Sequence, residues 1–251
     1  MNHYRIPASF LFLALSFSAH AAGLNDTGQT LCYDSAGAII SCAAATDDGR
    51  YGRDAAAAAG ALTKTGAGSA GFDFTKIANN GSALPASATL GGNPADWACT
   101  RDNVTGLIWE VKTTSGLRYG AHTYSWYNSN PATNGGTVGN AGVSNCLTAG
   151  RCNTEMFVHD VNAAGLCGHT DWRLPKRGEL SSIVNLSGVN PAIDPDYFPN
   201  TDPSNFWSAS PYIGNSLYTS VAWSVNFAND FTHDNGYMYN AFRVRLVRAG
   251  Q

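Results

Sequence analysis

Hydrophobic positions along this chain follow three different patterns. The first is an apolar run over residues 6–18, with Phe10, Leu11, Phe12, Leu13, Leu15 and Phe17. A short polar start containing His3 and Arg5 precedes it. Ala19-His20-Ala21 follows, with small residues at the two positions that a signal peptidase reads. This predicts a signal peptide over residues 1–21. The run is shorter than the roughly 20 apolar residues of a membrane-spanning helix, and no later segment reads as one. The second pattern has helical spacing. Phe157, Val161 and Ala164 share one face of a helix predicted over residues 154–164, with Asn153 or Thr154 as its cap and Gly165 as its stop. Leu180, Ile183 and Val184 form the stripe of a second helix, residues 177–185, just after Pro175. The third pattern alternates. Residues 221–227 and 241–248 read as half-buried strands, and the polar stretch 229–235 is expected to join them as a long antiparallel hairpin. Residues 106–111 (GLIWEV) form a short strand after a turn at Asp102-Asn103. Two helices followed by antiparallel strands predict an α+β fold.

Aromatic residues divide the chain. Residues 22–95 contain no tryptophan and include the Ala55–59 run and a glycine-rich stretch at 66–71. They read as a small disulfide hairpin followed by a loosely structured arm. All six tryptophans lie later, so the core is expected in a domain spanning residues 96–251.

Six cysteines behind a signal peptide argue for disulfides, because the compartment is oxidising. Cys32 and Cys42 flank a turn at Ser35–Gly37. Cys146 and Cys152 enclose a small polar loop. Cys99 and Cys167 then remain to join distant segments. The absence of Cys-x-x-Cys and His-x3–5-His spacings argues against cysteine-bound zinc. Removing Arg5 with the leader leaves 14 Lys and Arg against 18 Asp and Glu, a balance that points away from nucleic acid. Charged residues are only 13% of the chain, so the surface is expected to consist mainly of Asn, Ser, Thr and Gly.

Several segments then appear in order: "WACTRDNVTGLIWEVKT" (97–113), "HTYSWYN" (122–128), "VNAAGLCGHTDWRLPKRGELSSIV" (161–184), "NPAIDPDYFPNT" (190–201), "FWSAS" (206–210), "AWSVNF" (222–227) and "FRVRLVRAG" (242–250). Together they resemble the Lcl C-terminal domain family of exported bacterial proteins. The leader "GQTLCYDSAGAIISC" (28–42) resembles the segment often found before that domain. More distantly, "WRLPKRGEL" and "FRVRLVR" are similar to signatures of formylglycine-generating-enzyme domains, which implies a C-type-lectin-like fold. Lys176 and Gly178 depart from that pattern. The oxidase chemistry of those enzymes needs late cysteines, and this chain has none after Cys167. The resemblance implies surface attachment and adhesion, with homo-oligomers in some members.

Candidate chemistry is sparse. Trp126 and Tyr127 could stack on a sugar. Arg243 and Arg245, with Arg248, Lys176 and Arg177, could present a basic patch to acidic glycans. Asp194, Asp196, Asn200 and Asp202 offer closely spaced oxygens of the kind calcium prefers; beyond that, no cofactor is expected. Glu110, Glu179 and the histidines show no hydrolase spacing, His159 and His169 reading as local or solvated groups. The expectation is a non-catalytic recognition or adhesion module for a surface glycan or protein ligand. An exported polysaccharide-acting enzyme and a structural subunit of a surface assembly are the alternatives.

Overall fold

The structure, a computed structural model, describes residues 25–142, 144–188, 190–213, 220–228 and 234–250. The signal peptide expected over residues 1–21 lies outside them, as do residues 229–233 of the expected turn. The described fold is α+β, with short helices and antiparallel sheets. No helix among the described residues is long and apolar enough to cross a membrane.

The N-terminal hairpin pairs β1 (Cys32–Tyr33) with β2 (Ile39–Ile40). Asp34 shapes its turn: Oδ1 accepts from the amides of Ala36 and Ala38, both at 2.9 Å. Gly37 takes the positive φ that the turn requires. Two short helices follow, α1 (Asp48–Tyr51) and α2 (Arg53–Ala58). The expected loose arm ends there, well before residue 95. Residues Phe74–Ala78 form β3, which lies between β4 (Ala83–Leu84) and β5 (Trp97–Asp102) in a five-stranded sheet. Phe72, Phe74, Ile77 and Ala78 are all buried. The tryptophan count hid this strand, because its core-facing residues are Phe and Ile.

The same sheet continues through β6 (Leu107–Glu110) to the chain's last strand, β10 (Val247–Ala249). Its side chains alternate between two cores. Ile77 and Ile108 enter one, with Trp126, Phe157, Trp172 and Trp207. Phe74 and Trp109 enter the other, with Leu180, Phe198, Phe206 and Phe227. Both faces of β6 are therefore covered, which explains its nearly continuous apolar run.

A second sheet has the order β7 (Asn205–Pro211), β8 (Val221–Asn226), β9 (Asp234–Tyr237). The expected hairpin between residues 221–227 and 241–248 does not form. β8 pairs with β7 and β9, whereas β10 pairs with β6 in the other sheet. Residues 242–246 cross between the sheets, with single bridges from Phe242 to Tyr124 and from Arg243 to Phe206. Alternation foretold neither the partner strand nor the burial: Ala222, Ser224, Arg245 and Val247, on the faces expected to meet solvent, are all buried.

Helix α3 (Thr154–Ala163) matches its expected span to one residue. Asn153 caps it by accepting from Met156 N at 2.9 Å, and Gly165 ends it at φ 63°. Helix α4 (Arg177–Ser181) is shorter than expected. The backbone beyond it turns away: Asn185 N donates to Ala192 O and Leu186 N to Thr27 O. Ile183 and Val184 are buried from the turn instead. Three disulfides join Cys32–Cys42, Cys99–Cys167 and Cys146–Cys152, the pairing that spacing favoured. The second ties β5 to the turn after α3. On the chain-entropy account a loop of its length contributes about 4 kcal/mol.

Candidate functional site

The expected site residues do not share one place. Trp126 and Tyr127 border a hollow of about 380 Å³ whose exposed wall is mainly apolar. Trp126 is buried and held by a 2.9 Å bond from Nε1 to Ser208 O. Tyr127 beside it is half-buried. Thr154, at the start of α3, fixes the Tyr127 backbone twice: its Oγ1 accepts from Tyr127 N at 2.9 Å and donates to Tyr127 O at 2.8 Å. Val158, Leu174 and Ala209 add apolar surface, and Asn128, Thr133, Glu155 and Lys176 add polar groups. Glu155 also accepts from Ser129 N at 2.7 Å, holding the loop after Tyr127.

Arg173 closes one side of the hollow. Its guanidinium donates to Leu174 O and grips Glu179 with two bonds of 2.7 and 2.8 Å. Glu179 also accepts from Lys176 N at the start of α4. Burial works against its charge, yet Arg173 and the Lys176 amide hold its carboxyl below the usual range.

The basic patch does not exist as expected. Arg245 is fully buried, donating to Glu110 O at 2.7 Å and Thr201 Oγ1 at 2.6 Å. Arg243 pairs with Asp202 at 2.5 Å and Arg248 with Asp171 at 2.7 Å. Arg177 lies over the Trp223 ring at 4.5 Å. The alternating pattern of the last strand put these arginines on a solvent face. They instead satisfy acids and carbonyls where the chain crosses between sheets. Of the five, Lys176 alone borders the hollow.

The four expected calcium ligands are likewise dispersed. Asp194 and Asp196 border a different hollow, of about 410 Å³, together with Lys76. The Lys76 ammonium donates to Ala88 O at 2.9 Å and lies 4.0 Å from the Trp97 ring. Asp194 accepts from the amides of Ser69 and Asp196. Asn200 donates to Lys112 O, and Asp202 holds Arg243. The Asp194 and Asp202 oxygens thus serve as turn and strut acceptors. The enzyme alternative fares similarly, since Glu110 pairs with Lys112, Glu179 with Arg173, and His159 is exposed beside Asp160.

The sequence missed Val158, Leu174 and Glu155 as neighbours of Tyr127. A signal was present. "HTYSWYN" supplies Trp126, Tyr127 and Asn128, while "WRLPKRGEL" supplies Arg173, Leu174 and Lys176. The two segments meet only in the fold.

Fold and hollow together define a disulfide-linked α+β domain with a shallow, largely apolar recess on its surface. The chain belongs to the Lcl C-terminal domain family, whose model matches residues 98–248. Neither the curated proteins nor the solved structures gave a match. The disulfides and the family point to an extracytoplasmic protein.

Proposed function

We propose that this chain is an exported, non-catalytic recognition module with a C-type-lectin-like domain, and that it adheres to surfaces by holding a glycan against Tyr127. The observation that carries this reading is the meeting of the two motif segments at one recess. A sugar presents an apolar C–H face bordered by hydroxyls. The recess offers a matching surface: Tyr127, Val158 and Leu174 for the face, and Asn128, Thr133, Glu155 and Lys176 for the rim. Its volume suits one or two sugar rings and lies within the range of ligand pockets.

Tyr127→Ala removes the platform without touching the bonds between Thr154 and the backbone. Binding to glycans found by array screening should weaken at least about tenfold, as expected for loss of an aromatic anchor, with thermal unfolding little changed. Unaltered affinity in a folded Y127A protein would remove the recess from consideration. Retained glycan binding at another surface would keep the adhesin reading but move its site.

A further inference from the structure

The N-terminal segment holds a second, unrelated concentration of charge. Asp26 precedes β1, Asp48 opens α1 and Asp54 lies in α2. One carboxylate oxygen from each falls within 4.8 Å of the others. Asp26 and Asp54 are 5% and 2% exposed. Asp54 Oδ1 accepts from Gly71 N at 2.8 Å, and Asp48 Oδ2 accepts from the Thr27 hydroxyl. Among the described residues, no hydrogen-bond donor of ordinary geometry reaches either oxygen of Asp26 or Oδ2 of Asp54. Three buried acceptor atoms on two neighbouring carboxylates are thus left without a described donor.

Buried carboxylates left in this way are costly, because each ion loses water and repels the next. The charges weighing most on Asp26 are Asp54 and Asp48, both negative. Arg53, the neighbour of Asp54 in the chain, donates from Nε to Gly71 O at 2.9 Å. Gly71 also leaves room, since a Cβ there would come within 2.4 Å of Asp26 Oδ2. A shared proton or a bound cation would relieve the cluster. An all-oxygen set with three carboxylates suits calcium, whereas magnesium usually takes only one or two and keeps its waters.

We infer that Asp26, Asp48 and Asp54 form a calcium site that clasps the N-terminal segment to α1 and α2. The clasp extends to the main domain. Asn25, next to Asp26, donates to Asp102 Oδ2 and to Ser182 O, both at 2.7 Å. The site lies outside the matched residues 98–248.

The test uses the purified full chain with its disulfides formed, stripped of metal by chelation. Calcium chloride is titrated at pH 7.5 by calorimetry, with thermal unfolding in parallel. Affinity is expected in the range of about 10⁻⁴–10⁻³ M typical of extracellular modules. At a hundredfold excess over the Kd, the unfolding midpoint should rise by roughly 5–10 °C. Asp54→Asn keeps the acceptor for Gly71 and removes one charge. It should fold, bind calcium at least about tenfold more weakly and lose the midpoint shift. Limited proteolysis should cut residues 43–62 faster in the stripped protein. No heat and no midpoint shift at 10 mM calcium, roughly ten times the weakest expected Kd, would overturn the site in favour of a proton shared between Asp26 and Asp54. An equal response in D54N would also overturn it, since calcium would then be binding elsewhere.

Discussion

Two groups of buried charge in this molecule solve the same electrostatic problem differently. Near the junction of β6 and the last strand, Glu110, Lys112 and Arg245 are almost wholly buried. Glu110 and Lys112 pair with each other, and Arg245 donates to neutral oxygens. Glu110 Oε1 meets Lys112 Nζ at 2.8 Å, and Oε2 accepts from Leu246 N at 2.9 Å. Arg245 donates to Glu110 O and Thr201. Aromatic faces complete the seam: Phe157 lies 4.6 Å from the Lys112 ammonium and Phe198 lies 5.1 Å from the Arg245 guanidinium. In the Asp26 cluster all three charges have the same sign. The seam sets opposite charges together and leaves only Arg245 Nε without a hydrogen-bond partner among its described groups, whereas the cluster needs something from solution. Burial alone therefore says little about a charged residue's role; the sign of its neighbours says more.

The largest effect is expected in the seam. Glu110→Ala leaves Lys112 buried without its counter-charge and Leu246 N without an acceptor. Loss of one member of a buried pair should cost about 3–5 kcal/mol, measured by urea unfolding. A loss under about 1 kcal/mol would mean that the seam behaves like a surface pair. Asp26→Asn should act in the opposite direction. With calcium absent it removes an unpartnered charge and should stabilise by about 1–3 kcal/mol. If D26N were destabilising in chelator, the cluster would not be the uncompensated site described.

The smallest effect is the pH response. Burial, then Asp54 and Asp48, push the Asp26 carboxyl up to about 7 from its ordinary 3.8. Between those values the folded chain holds a proton that the unfolded chain gives up. The stability linked to Asp26 is thus fully present below pH 4 and is lost as pH rises through 7. Burial draws Lys112 the other way, down to about 8 from 10.5, although Glu110 opposes the shift. Between 8 and 10.5 the unfolded chain binds the extra proton, so this contribution rises with pH. Urea midpoints at pH 5, 6, 7 and 8 in chelator should show the acid-side decline, with a flatter profile in D26N. Equal slopes in both proteins would detach Asp26 from it.

What could be read in the sequence followed local physics. Asn153 and Gly165 mark the ends of α3 because capping and positive φ are decided within a few residues. The cysteine spacings already favoured the observed pairing. Tyr127 and Trp126 stood out, and they do border a recess. Legibility failed wherever the partner was distant in sequence. Alternation in residues 241–248 could not say that β10 would pair with β6, more than 130 residues earlier. The same gap turned Arg245 into an expected surface group, although its carbonyl partner is on Glu110. The Asp26 cluster was invisible for a related reason. Its members are separated by 22 and 6 positions, and only the packing of α1, α2 and the Gly71 loop brings them together.

Strand β3 has a consequence for where this domain begins as a physical object. Residues 98–248 bound the matched family region, yet β5 hydrogen-bonds to a strand that lies before it. A polypeptide trimmed to that region would present a raw row of amides and carbonyls along β5. Such a border recruits whatever extended backbone is nearby, including a neighbouring molecule's. The upstream segment thus acts as a built-in seal, and its loss would leave the domain prone to chain-to-chain stitching.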